Sequence, residues 1–182
     1  VSVYKANLII PQIAKTVKST GETEIPSVCP VCGGATKIIE NDDIQTLYCV
    51  NDLCAAKNIG RFTHFVTRDC ANIVGFSKEK LTRFIESGFI NEFADIYHIS
   101  NFKDEIIEMD GFGEKSYENI IDAIEESRNI KFSALLNSIG IPGIGKDMAK
   151  QISKHFGENA LEKFLLYIKN NQDFSKIDGI GE

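Results

Sequence analysis

Val74-Gly75-Phe76-Ser77, Asp110-Gly111-Phe112-Gly113, Pro142-Gly143-Ile144-Gly145 and Asp178-Gly179-Ile180-Gly181 are four versions of one phrase. Their first glycines stand 36, 32 and 36 residues apart, a period at which supersecondary units repeat. Each phrase follows an apolar stretch, and the first three open patterns with helical spacing. Glycine, an apolar residue and a second glycine permit a very tight turn, because glycine tolerates positive φ, and the missing β-carbons let another backbone come close. Such a turn presents unpaired N–H groups at the start of a helix, which suits a phosphate oxygen. Ser77 replaces the second glycine in the first copy, so that copy is expected to approach a phosphate least closely. The plainer reading is four helix-breaking loops in an all-α bundle. Four phrases in register, with helical patterns on both sides, favour a true repeat.

The phrase resembles the helix-hairpin-helix motif, which binds the DNA backbone without sequence specificity. Apolar residues around it recur at helical spacing: Leu81, Phe84 and Ile85 up to Ser87-Gly88; Phe102, Ile106, Ile107 and Met109; Tyr117, Ile120, Ile121 and Ile124; Leu135, Leu136 and Ile139; Met148, Ile152 and Phe156 up to Gly157; and Leu161, Phe164, Leu165 and Ile168. The helical pattern begins near Arg61, with Phe62, Phe65 and Val66. These stripes read as core, and the repeats are expected to stack in pairs, since none can bury its apolar face alone. The resemblance makes Gly75, Gly111, Gly113, Gly143, Gly145, Gly179 and Gly181 the expected backbone contacts to DNA.

Charge is unevenly spread over the repeats. Glu105, Glu108, Asp110, Glu114, Glu118 and Asp122 surround the second phrase, and offset Lys115. Lys146, Lys150 and Lys154 follow the third at intervals of four, on one helix face. Phosphate contact is therefore expected to be strongest at the third repeat, through Lys146 and Lys150, unless the lysines are only a solvated face. The net charge of −6 argues against a generic polyelectrolyte binder. Binding through amides and a local basic patch remains open, and would be modest and salt-dependent.

Upstream lies a second pattern. Four of the five cysteines fall between 29 and 54, as Cys29-Pro30-Val31-Cys32, then sixteen residues, then Cys49-Val50-Asn51-Asp52-Leu53-Cys54. Two short β segments, Thr36–Ile39 and Gln45–Cys49, are joined by a turn at Asn41-Asp42-Asp43. Two close thiol pairs across a hairpin can surround Zn²⁺ tetrahedrally, so Cys29, Cys32, Cys49 and Cys54 are expected to hold a structural zinc ion. A redox Cys-x-x-Cys would need no second pair and expects a βαβ context, which is missing. So small a unit has little core, and the metal would supply much of its folding free energy. Cys70 lies outside the pattern and reads as a buried small residue.

Residues 1–18 read as a single strand interrupted at Pro11, with its partners later in the chain or outside it. Residues 18–26 read as a polar linker. A hydrophobic fraction of 43% is ample for a packed core. No apolar run reaches membrane-span length and no signal peptide opens the chain, so a cytoplasmic location is the default. Valine at position 1 and a chain that stops inside the fourth phrase suggest an excised piece of a longer protein. The Gly-x-Gly turns lack the third glycine and parallel-strand context of a dinucleotide site. Lys176-Ile177-Asp178-Gly179 matches the adenylated-lysine motif of nucleotidyltransferases, but it consists mostly of the repeat's own residues. His64, His98 and His155 accompany no nucleophile constellation. No catalytic residue is expected in this chain.

In this order the parts resemble the C-terminal half of bacterial NAD-dependent DNA ligase, along essentially the whole chain. Lys5-Ala6-Asn7-Leu8-Ile9-Ile10-Pro11-Gln12-Ile13 is similar to the last strand of that family's OB domain. Cys29-Pro30-Val31-Cys32-Gly33 and Cys49 to Ala56 are similar to its zinc motif. His64-Phe65-Val66-Thr67-Arg68 and Gly111-Phe112-Gly113-Glu114-Lys115-Ser116 resemble the entries to its first two repeats. Ala55 stands where the family often has proline. The resemblance implies a mainly α fold: an OB strand and linker over 1–20, a small β zinc finger with four cysteine ligands over 21–60, and a helix-hairpin-helix domain with four hairpins, the last truncated, over 61–182. It implies a parent enzyme that seals nicks in duplex DNA during replication and repair, with NAD as adenylate donor and Mg²⁺. In that enzyme a nucleotidyltransferase domain precedes this region and a BRCT domain follows it. The chain itself would be an inactive, monomeric, nucleoid-associated grip on nicked double-stranded DNA, with no membrane partner. Two alternatives stay open: a non-enzymatic repair or recombination module on branched DNA, and an interaction domain whose repeats bind protein.

Overall fold

The fold is a computed structural model that describes residues 2–6, 10–15, 17–18, 24–41 and 44–177. The chain divides into two compact units, Val1–Asn51 and Asp52–Glu182. The first holds four short strands in two separate antiparallel pairs: β1 (Ser2–Ala6) with β2 (Ile10–Lys15), and β3 (Thr36–Asn41) with β4 (Ile44–Cys49).

The single strand expected over 1–18 is thus two strands that pair with each other. Pro11 lies inside β2, opposite Lys5. A two-stranded ribbon has only edge strands, where a missing N–H is tolerated, so the proline does not end the strand. The β3–β4 register runs from Thr36 opposite Cys49 to Asn41 opposite Ile44, as the hairpin reading requires. Ile38, Ile39, Leu47 and Tyr48 all remain partly exposed. This hairpin has almost no core of its own.

The second unit is helical: α1 (Ala55–Phe65), α2 (Lys78–Glu86), α3 (Lys103–Glu108), α4 (Glu114–Ser127), α5 (Phe132–Ser138), α6 (Lys146–Phe156) and α7 (Ala160–Lys169), with 3-10 segments at Phe93–Phe102 and Phe174–Lys176. Helix α1 begins six residues before the helical pattern shows in the sequence, because its first turn, Ala55-Ala56-Lys57-Asn58, carries no apolar stripe. Helix α2 stops where Gly88, at φ +75, turns the chain so that the Phe89 N–H donates to the Phe84 carbonyl at 2.9 Å, a helix-ending pattern that suits glycine.

Two apolar clusters fill this unit. The first gathers Phe62, Phe65, Leu81, Phe84, Ile90, Ile96, Ile106 and Phe112, with Tyr117, Ile120 and Ile124 from α4. It contains the first two hairpins; Phe84 stacks on Phe112 with centroids 5.1 Å apart. The second gathers Leu136, Ala149, Ile152, Phe156, Ala160, Phe164 and Ile177. The third hairpin and the helix before the fourth phrase share it. The first two hairpins therefore share one core, while the fourth phrase, Asp178 to Gly181, lies outside the described residues.

The seam between the clusters is polar. Buried Asn137 donates from Nδ2 to the Asp69 carbonyl at 3.1 Å and to Cys70 Sγ at 3.2 Å. His64 Nε2 lies 2.9 Å from the Asn137 carbonyl. A carbonyl can only accept, so Nε2 carries the proton.

Candidate metal centre and nucleic-acid interface

The sulfur atoms of Cys29, Cys32, Cys49 and Cys54 all lie within 4.8 Å of one another. Local turns bring them there. The Cys29 N–H donates to the Gly34 carbonyl at 2.7 Å and the Gly33 N–H to the Cys29 carbonyl at 2.9 Å. This closes a knuckle that aims the first two thiols the same way. The Gly34 N–H points at Cys32 Sγ, 3.4 Å away, and Cys32 and Cys49 sulfurs are 3.5 Å apart. Cys54 is buried and supplies the N-cap of α1.

Four thiolates at about 2.3 Å from one ion would stand about 3.8 Å apart. The set needs only a small contraction to fit, and it can hold a metal ion. Its donors are soft, and the group contains no histidine or carboxylate, a choice that suits zinc. Without a cation the thiols disagree over charge. The backbone N–H groups of Cys32 and Val31 hold the Cys29 thiol below its ordinary pKa, while burial pushes Cys49 up to about 11. A divalent ion would stabilise all four as thiolates.

The three phrases within the described residues are built alike. Gly75, Gly111 and Gly143 have φ of +98, +79 and +81. In the second and third copies the turn closes with Phe112 N–H to Met109 C=O at 2.9 Å and Ile144 N–H to Ile141 C=O at 3.0 Å. A positive-φ glycine at the third position of such a turn is the type II arrangement. The residue two further on is an N-cap. Ser77 caps α2, accepting from the Lys80 N–H at 3.3 Å, while Gly113 and Gly145 cap α4 and α6 with no side chain.

These cap glycines have φ of −129 and −89, and a β-carbon on either would meet nothing within 4 Å. Nothing inside the fold asks for glycine there. Ser77 satisfies a free N–H with its side chain, whereas the two cap glycines, also common at this position, leave theirs open.

The predicted contact residues that can be placed, Gly75, Gly111, Gly113, Gly143 and Gly145 with Lys115, Lys146 and Lys150, are all exposed. Gly179 and Gly181 lie outside the described residues. The lysines differ from the field picture drawn from sequence. Lys146 Nζ is 2.8 Å from Asp69 Oδ1, and Lys150 Nζ is 3.5 Å from Asp147 Oδ1. At the second hairpin Lys103 pairs with Glu114 at 3.8 Å. Two further cations reach that turn from α2: Arg83 donates to the Asp110 carbonyl, and Lys80 lies 4.8 Å from the Phe112 ring centroid and donates to Ser116 Oγ at 2.9 Å. Sequence reasoning missed Asp69, Lys80 and Arg83. They sit 27 to 77 residues from their partners, beyond any local pattern.

No protein-family model matches the chain. It is 48% identical to a DNA ligase of Lachnoclostridium phytofermentans over 157 residues, 86% of this chain and 24% of the relative. It is 43% identical to a DNA ligase of Ruminiclostridium cellulolyticum over 181 residues, 100% of this chain and 27% of the relative. A DNA ligase of Fusobacterium nucleatum is 34% identical over 187 residues, 100% of this chain and 26% of the relative. The chain spans about a quarter of the length of the curated relatives it matches. Homology at this identity, running the length of the chain, places it in the bacterial DNA ligase family, as the counterpart of about a quarter of those proteins.

Proposed function

We propose that the chain is the zinc-stabilised, DNA-gripping part of an NAD-dependent DNA ligase, from the C-terminal half of a parent enzyme that seals nicks in duplex DNA. The domain bounds proposed are 1–20, 21–60 and 61–182. Adenylation from NAD and the Mg²⁺ it requires belong to other parts of the parent, so the chain alone neither adenylates nor ligates. It binds nicked duplex as a monomer, in the cytoplasm at the nucleoid. Zn²⁺ on Cys29, Cys32, Cys49 and Cys54 closes the small β unit and takes no part in chemistry.

The observation that carries this reading is the pair of cap glycines. A helix N-terminus ordinarily recruits serine, threonine or aspartate to satisfy its free N–H groups. Gly113 and Gly145 leave those groups open, at positions where the fold imposes no need for glycine. Glycine is a common cap in its own right, and here the missing side chain also leaves room for an outside group to approach those N–H groups closely. An anionic oxygen is the partner that helix N–H groups accept best. Phosphates carry no sequence information, so binding is expected to be indifferent to base sequence. Relatives named DNA ligase support DNA as the source of the phosphate, and favour the ligase over a free-standing repair module.

The test compares two substitutions in the same hairpin. Gly145→Ser adds a cap like Ser77 and should leave stability within a few tenths of a kcal/mol, or raise it. It should weaken binding to a fluorescent nicked duplex about tenfold, one charge-assisted hydrogen bond's worth. Gly143→Ala forces a side chain into positive φ and should cost ~1–2 kcal/mol of stability. Wild-type DNA affinity in a well-folded Gly145→Ser protein would sink the reading.

A further inference from the structure

We propose that the Asp69 carboxylate stands in for a DNA phosphate at the third hairpin, and that DNA must displace it from Lys146 in order to bind there. This rests on the reading of that hairpin as a contact to the DNA backbone.

Lys146 is the first residue of α6, directly after the cap glycine Gly145. It is therefore the cation nearest the open helix N-terminus along the chain. Its ammonium is already engaged, 2.8 Å from Asp69 Oδ1, a charge-assisted bond of the kind a phosphate oxygen would make. Asp69 has further cations about it: Arg68 beside it in sequence and Lys150 one turn along α6 both attract its charge. Together with Lys146 they hold the carboxyl below its ordinary pKa, the Lys146 hydrogen bond contributing most. Lys150 is shared with Asp147, 3.5 Å away, but the Lys146 ammonium has Asp69 as its paired anion, in the place a phosphate oxygen would take.

The carboxylate is not a stray surface group. The Asp69 carbonyl accepts from buried Asn137, and its neighbour Cys70 is buried with its N–H bonded to the Thr67 carbonyl at 3.0 Å. The backbone that carries Asp69 is thereby fixed to the polar seam. The ion pair itself is open, with side chains 50% and 59% exposed. An external phosphate can replace the carboxylate by rotation of side chains alone, without repacking. Asp69 thus keeps Lys146 aligned in the free chain and competes for it in the complex. It lowers affinity and makes the contact easy to reverse, which suits a protein that must release its DNA.

A plain structural pin between the 67–72 turn and α6 makes the opposite prediction. Four variants of the full chain separate the two: Asp69→Asn, Lys146→Ala, the double variant, and Glu105→Gln, which removes one exposed acid from α3 as a control for net charge. Affinity for a fluorescent duplex is measured at several salt concentrations, with thermal unfolding alongside. Asp69→Asn is expected to tighten binding about threefold to tenfold over wild type, and by more than Glu105→Gln. In the Lys146→Ala background its gain should shrink to the control value, since the two groups are coupled. If Lys146→Ala weakens binding but Asp69→Asn leaves it unchanged, weakens it, or only matches Glu105→Gln, the phosphate stand-in is wrong and the DNA reading survives. If wild type and every variant fail to bind at low salt, the DNA reading itself fails and takes this inference with it.

Discussion

Cys54 and Cys70 show how differently one residue type can be used sixteen positions apart. Cys54 brings its sulfur into the four-thiol group, while its carbonyl accepts the first helical hydrogen bond of α1, from the Asn58 N–H at 3.0 Å. A residue of the group that can hold a metal ion also starts a helix, so if zinc is bound there, removing it should fray the first turn of α1. Cys70 is as deeply buried, but its sulfur faces Asn137 Nδ2 at 3.2 Å and His64 Nε2 at 3.5 Å. The Asn137 amide donates to it and the imidazole lies against it, and among the described residues it belongs to no group of thiols close enough to share an ion. Stripping the metal with a strong chelator should therefore make four thiols reactive toward a colorimetric disulfide reagent, while Cys70 stays protected until the helical unit unfolds. Five thiols reacting at one rate would remove that distinction. The four-thiol group was legible from spacing alone, because metal geometry constrains close pairs along the chain. The surroundings of Cys70 were not, since both of its partners depend on the tertiary fold.

Among the elements, the 3-10 segment Phe93–Phe102 is the instructive miss. Phe93, Ile96, Ile99 and Phe102 recur at intervals of three, the period of a 3-10 helix, in which residues i and i+3 eclipse. A search for the 3.6-residue period passes over it, although the signal is there: Ile96 and Ile99 are fully buried. The segment opens with a reciprocal cap in which Asp95 Oδ2 accepts from the N–H groups of Asn91 at 2.8 Å and Glu92 at 2.9 Å. Those two donors, Glu92 first, hold the Asp95 carboxyl below its ordinary value. A carboxylate with a depressed folded pKa stabilises fully above the unfolded value of about 3.9, and the contribution disappears as pH falls through the folded value. The urea midpoint of Asp95→Ala should lie below wild type at neutral pH, and the gap should close on acidification below about pH 4. A gap that persists at about pH 2, below the usual carboxylate range, would mean that the side chain stabilises by packing and not by charge. Pro11 gave the other misreading. It signals a break in a central strand, and it is harmless where β2 has, among the described residues, β1 as its one partner.

At the scale of the molecule, the helical unit is two cores joined by a polar seam. The first three glycine phrases disclosed the turns that the described residues contain, and the shared core of the first two. Asn137, His64 and the Asp69–Lys146 pair, separated by 68 to 77 residues, left no trace in the sequence pattern. Apolar clusters tolerate small shifts, whereas directional hydrogen bonds admit one register. The halves should accordingly keep their mutual placement yet lose stability separately. Phe164 meets Phe132, Phe156 and Phe174 in the second cluster, and Phe164→Ala should cost about 3–5 kcal/mol there. Hydrogen exchange should quicken through 132–177 while amides of 62–124 keep their protection. Equal loss in both halves would show a single cooperative core. The β1–β2 ribbon has the opposite character, for it has nothing to lose. Val3, Tyr4 and Ile13 are exposed, and among the described residues neither strand has a further partner on its outer edge. Each edge is a template for the same ribbon on another molecule. The colloidal behaviour of this chain is thus set by the part that contributes least to its fold, and its solubility should fall off with concentration well before its helices begin to melt.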